Sequence, residues 1–156
     1  MKLTMKTLRP VAAALLLALT ACSDDDSNNV NGNATAVANN MKSGTWRITS
    51  FTEDGTDETN HFTGYNFTFA ESGTLTATNT TNTYTGVWSV TDSDDDSNDD
   101  NPSGDDIHFN IAFSTPVDFT ELTDDWHVYE RTGIKIVLID ESGGNGGTDY
   151  LTFEKN

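Results

Sequence analysis

The chain has 156 residues and is strongly acidic, with 25 Asp and Glu against 8 Lys and Arg, a formal charge of −17. That balance argues against nucleic acid as a partner, because phosphates would be repelled. A single cysteine rules out an intramolecular disulfide, so the fold must hold by its core alone.

Residues 1–22 open with Lys2, Lys6 and Arg9, continue with an apolar run over 11–19, and end Leu19-Thr20-Ala21-Cys22. This is the layout of a secretory signal peptide over residues 1–21, and its apolar part is shorter than the ~20 residues of a spanning helix. Leu-Thr-Ala-Cys resembles the bacterial lipobox. The resemblance implies that Cys22 takes a diacylglycerol, that the leader is cut before it, and that the new amino terminus is acylated too. Several chains on one residue, at ~0.8 kcal/mol per buried CH₂, would make release very slow. Losing Lys2, Lys6 and Arg9 takes the basic residues from 8 to 5 against 25 acidic ones, near −20. Ser23-Asp24-Asp25-Asp26 resembles the surface-export signal of some Gram-negative lipoproteins. It implies a protein anchored in the outer membrane and facing outward. Residues 22–40 are rich in Asn, Ser, Asp, Gly and Ala, and are expected to form a flexible tether.

The remaining segment, 41–156, suits one domain with one core. A short helical turn is expected at 39–42. Alternation of apolar and polar residues then marks eight strands. They cover 44–53 with Trp46 and Ile48 on one face; 65–69 with Tyr65, Phe67 and Phe69; and 74–80 with Leu75 and Ala77. The next four are 83–91 with Tyr84, Gly86, Trp88 and Val90; 107–113 with Ile107, Phe109, Ile111 and Phe113; 125–131 with Trp126 and Val128; and 134–140 with Ile136 and Leu138. The last is 148–154, with Leu151 and Phe153 inward. Asp54-Gly55 begins a turn. Ser114-Thr115-Pro116 opens a short helix ending near Leu122, with Thr115 as cap and Pro116 at the first helical position. No long helix lies between any two strands, so neighbours should be antiparallel. The fold class expected is all-β: an eight-stranded antiparallel up-and-down barrel, with one short helix between the fifth and sixth strands.

Gly44-Thr45-Trp46 opens the first strand as the Gly-x-Trp of the lipocalin-like (calycin) group does. The order Gly-Thr-Trp-Arg-Ile, Tyr-Asn-Phe-Thr-Phe, Tyr-Thr-Gly-Val-Trp-Ser-Val, Asp-Asp-Trp-His-Val and Tyr-Leu-Thr-Phe-Glu-Lys is similar to that of small bacterial lipoproteins with a lipocalin-like domain. The resemblance implies a barrel that binds a small hydrophobic or amphipathic ligand, with Trp46, Tyr65, Tyr84, Trp88 and Trp126 as the lining. As residues alone, the same aromatics read first as core packing. A filled barrel working through protein partners is one alternative, and calcium binding by the acidic loop 92–106 is another.

The loop 92–106 carries Asp92, Asp94, Asp95, Asp96, Asp99, Asp100, Asp105 and Asp106. Calcium would suit such oxygens, but an EF-hand begun at Asp94 has Asp99 where glycine is required and Asp105 where glutamate is required. A self-repelling loop fits better. His61, His108 and His127 read as surface residues, with no metal assigned, although His108 and His127 fall on neighbouring strands and point away from the apolar face. No Ser/His/Asp set is visible, and the glycine run 143–147 lacks the lysine and the strand-to-helix setting of a phosphate loop. The expectation is a non-enzymatic protein without a cofactor.

Overall fold

The computed structural model describes residues 33–92, 107–141 and 147–156. The leader, Cys22, the acidic cluster Asp24–Asp26 and the rest of the segment to residue 32, the loop residues 93–106 and residues 142–146 lie outside them.

The strands form because alternating side chains give each one an apolar face to bury. They are β1 (Trp46–Glu53), β2 (Thr56–Asp57), β3 (Asn66–Phe69), β4 (Thr74–Thr78), β5 (Thr83–Asp92), β6 (Ile107–Ala112), β7 (Asp124–Arg131), β8 (Lys135–Asp140) and β9 (Asp149–Lys155). Each neighbour pair from β3 to β9 is antiparallel and consecutive. β1 then pairs with β9 from Trp46↔Lys155 to Thr52↔Tyr150, with an irregularity between Ile48 and Ser50. On its other side β1 meets β3 at Trp46↔Phe67. The result is the expected closed eight-stranded barrel, with β2 a two-residue spur on β1. The spur follows a tight hairpin, Asp54-Gly55, in which both residues have positive φ, 48° and 77°. That is the backbone an Asp-Gly turn favours.

Strand direction places each described connection at one of two ends. One end carries helix α1 (Ala34–Lys42) and the turns at 70–73 and 132–134. The other carries the 3₁₀ turn Thr59–Phe62, the turn at 79–82 and helix α2 (Val117–Thr120).

Helix α1 is longer than the turn expected at 39–42. It takes over residues 34–40 of the segment read as tether. Ala34, Val37 and Met41 recur at helical spacing and are buried against the barrel. Asn33 caps the helix, its side chain accepting from the Ala36 amide at 3.0 Å. At α2 the expected cap is also different. Pro116 itself takes the cap position, no side chain bonds the helix start, and the Thr115–Pro116 peptide is cis. Four residues are helical, and Leu122 beyond them is fully buried.

Gly86 shows how closely the wall is packed. A Cβ there would lie 2.5 Å from the Ala112 carbonyl oxygen and 2.9 Å from the Phe113 ring. Only glycine leaves that space, so β5 can pass the end of β6.

Candidate functional site

The interior of the barrel is where a ligand would sit, and it is occupied by the chain's own rings. Trp46, Trp126, Phe51, Phe67, Phe69, Phe109 and Phe153 are all buried there. Phe69 lies at the centre of one cluster, 5.1 Å from Trp88, 5.5 Å from Phe153 and 5.9 Å from Phe109 between ring centres. Most of these contacts are edge-to-face, the arrangement that aromatic quadrupoles favour.

Each of the five expected lining residues has a defined place. Trp46 donates its indole N–H to the Met41 carbonyl in the last turn of α1, at 2.8 Å. Trp88 donates to Ala70 in the β3–β4 turn, at 3.0 Å. Trp126 donates to Leu122, just after α2, at 3.1 Å. A buried indole N–H needs a partner, and here each has a backbone carbonyl. Tyr65 is buried, and Tyr84 is half-buried with its ring 5.8 Å from that of Tyr65. Their hydroxyls meet, and that bond, followed by desolvation, holds the Tyr84 pKa above its ordinary value. The structure thus groups Tyr65 with Tyr84 at the α2 end. It ties the three tryptophans to three different connections.

Both ends are stoppered. At the α1 end, Asn40 donates to the Thr132 carbonyl at 2.9 Å, the Ala34 amide donates to Asp92 at 2.6 Å, and Lys42 reaches Glu71 at 3.4 Å. At the α2 end the plug is Phe119, whose ring centre is within 5.0–6.1 Å of those of Tyr65, Tyr84, Phe62, Phe113 and Phe67. Phe62 arrives on the 3₁₀ turn, which the Phe51 amide holds by donating to Thr59 Oγ1 at 2.8 Å. An open groove of about 480 Å³ runs outside the barrel between α1 and the end of β5, lined by Ala34, Ala38, Lys42, Val90 and Asp92 among others.

The α2 end also gathers acids that are far apart in sequence. Glu53 closes β1, Asp140 ends the buried row of β8, and Asp149 begins β9. Glu58 and His61 come from the 3₁₀ turn and Glu121 follows α2. His61 Nε2 lies 3.4 Å from Glu58 and its Nδ1 3.7 Å from Glu121. Burial raises the Glu53 pKa, and the neighbouring charges of Glu121, Asp149, Asp54 and Glu58 raise it further. Asp124 is exposed by area, yet partial desolvation pushes its carboxyl up. The Asp125 amide opposes this and Asp140 adds to it. Sequence reading missed this acidic rim. Its signal was that Glu53, Asp140 and Asp149 continue the inward rows past their last apolar residues.

On the outer wall, His108 and His127 face each other across β6 and β7. Their ring centres are 4.8 Å apart. Both oxygens of Asp125 lie 3.0 Å from His108 Nδ1. Among the described residues, no three or more His, Cys, Asp or Glu side chains group to hold a metal ion. No described helix is long and apolar enough to cross a membrane.

The sequence matches no family model and no curated protein. Among solved structures, the chain is similar to a DUF4847 family protein from Bacteroides vulgatus. The identity is 20%, the match covers 77% of this chain and 97% of that one, and the TM-score is 0.49. A likeness of that degree carries no argument about ligand or activity.

Proposed function

We propose that the protein is a lipid-anchored, lipocalin-like barrel of the outer membrane, held by Cys22 and facing outward, which acts as a non-enzymatic module through its outer surface and its protein partners. One observation carries the choice of a filled barrel over an open cup. All three tryptophans spend their N–H groups on the chain's own carbonyls, and segments of the chain close both ends. Among the described residues the interior is filled by buried rings, so a ligand would have to displace part of the core.

A second reading is favoured by the make-up of the α2 plug. Phe119 sits on a four-residue helix, above Tyr65 and Tyr84. Such a short segment is the easiest part of the wall to swing aside, and it would uncover an aromatic floor for a small hydrophobic or amphipathic ligand.

Titration of the protein with fatty acids, haem and oligosaccharides separates the two by tryptophan fluorescence. A flat response from the folded protein fits the filled barrel. A saturable shift with one class of ligand would replace it with the second reading. The anchor is tested separately. Cys22→Ala should move the protein from the membrane fraction to the soluble one, and continued membrane binding would reject lipidation at Cys22.

A further inference from the structure

We propose that His61 is a proton-operated latch: the charged ring clips the α2 stopper to the 3₁₀ turn, and the neutral ring releases it. His61 stands between two carboxylates from different segments. Its Nε2 lies 3.4 Å from Glu58 Oε2, at the start of the 3₁₀ turn, and its Nδ1 lies 3.7 Å from Glu121 Oε2, just after α2. A neutral imidazole has one N–H and one bare lone pair, so it can donate to only one of the two acids. The other nitrogen then faces a carboxylate, acceptor against acceptor. Only the imidazolium, with both nitrogens protonated, can hold both acids at once. The bridge is therefore one proton short whenever the ring is neutral.

The contact with Glu121 is shielded from water, which gives the missing proton its weight. Among the described residues, His61 Nδ1 and Glu121 Oε2 are buried atoms with no hydrogen-bond partner. Unpaired buried polar atoms are costly. Here the two face each other just outside hydrogen-bond range, and one proton between them makes a charge-assisted pair. The same two segments meet again on the inside, where Phe62 packs edge-on against Phe119 at 5.2 Å. Phe62 follows His61, and Phe119 lies two residues before Glu121, so charge and ring packing act on one joint. Neighbouring elements add acids. Glu53 at the end of β1 bears on both Glu121 and Glu58, Asp54 and Asp149 also bear on Glu53, and α2 itself carries Asp118. Once His61 is neutral, this negative charge repels itself and works to push Glu121 and α2 off the turn. The latch is thus shut on the acid side of imidazole titration and opens as pH rises through it. It needs no ligand, so it holds with either reading of the barrel.

The test is hydrogen exchange on the full-length chain in detergent at about pH 5.5 and about pH 8.5, values that bracket the charge change of imidazole. The readout is the protection factor, from which the intrinsic pH dependence of exchange is divided out. It is read at the amides of Phe119, Thr120 and Leu122, which bond within the α2 segment. Protection there should fall at least about fivefold from the acid to the alkaline value, because a charge-assisted bond is lost. The amides of β1 and β9 should keep theirs, in the parent and in each variant, which shows that the barrel is folded. His61→Gln should abolish the fall, since the titrating ring is gone. Glu121→Gln should abolish it with α2 held at its acid-side protection, because the new amide N–H donates to the bare Nδ1. Glu53→Gln should leave the fall in place. The proposal is overturned if α2 is equally protected at both pH values, or if the fall survives in His61→Gln. It is also overturned if Glu53→Gln removes the fall, since Glu53 would then be the titrating group.

Discussion

Phe119→Ala tests the stopper at the α2 end most directly. Phe119 is 2% exposed and touches five other rings, contributed by the 3₁₀ turn, β3, β5 and the segment after β6. Truncating a buried Phe to Ala costs about 3–5 kcal/mol, and the cost rises when the walls of the void cannot collapse. Here the walls belong to separate elements pinned by barrel hydrogen bonds, so the upper part of that range applies, about 4–5 kcal/mol. Against a typical domain stability of about 5–15 kcal/mol this is a large share. It corresponds to a fall in Tm of about 15–20 °C for a domain of this size. Urea unfolding followed by tryptophan fluorescence would show a lower midpoint at unchanged slope. The variant should also gain what the parent lacks: a small apolar molecule such as benzene should enter the dry void and raise the stability of the variant alone. A loss below about 1 kcal/mol, or equal benzene stabilisation of both proteins, would refute the stopper.

Gly86→Ala should cost about 2–3 kcal/mol, because its Cβ meets a backbone oxygen that only strand movement can relieve; thermal melts of the two proteins measure it, and equal Tm values would show that β5 and β6 can part freely. Glu53→Gln addresses the acidic rim through pH. The Glu53 pKa is raised in the native state from an ordinary 4.5, so between those two values the folded protein holds a proton that the unfolded chain has released. Stability from this group therefore falls as pH rises through that window and stays low above it. The Gln variant should be more stable than its parent at neutral pH and should lose this part of the pH dependence, as read from Tm measured across a pH series.

Strands were legible where alternation is uninterrupted. Tyr65, Phe67 and Phe69, or Ile107, Phe109, Ile111 and Phe113, announce a buried face by spacing alone, and every one of these residues is buried. Closure of the sheet followed from short turns and the absence of crossover helices. Helix α1 was harder to read because its buried stripe is only Ala34, Val37 and Met41, set among residues whose composition suits a linker. The 3₁₀ turn offers a single apolar anchor, Phe62, too little for any periodicity. For the candidate site, sequence could nominate the aromatics but not say whether they enclose space. That depends on where Met41, Ala70 and Leu122 bring their carbonyls, which only the assembled barrel decides. The pairing of His108 with His127 was visible as neighbouring strands, whereas the approach of their rings and the contact with Asp125 were not.

The way α1 is fastened sets how the domain answers to load. The described chain enters through this helix, so a pull applied at Asn33 would reach α1 before any strand. Its ties to Asp92, Thr132 and Glu71 stand at successive points along its length, at Ala34, Asn40 and Lys42. A pull would break them one after another, as a zipper opens, rather than all together in shear. Nine helical residues would then extend from about 1.5 Å each to about 3.3 Å each while β1 stays in register with β9. The helix would thus be the first element to yield, and its release would uncover the buried Val37 and Met41 and strip the Trp46 N–H of its acceptor.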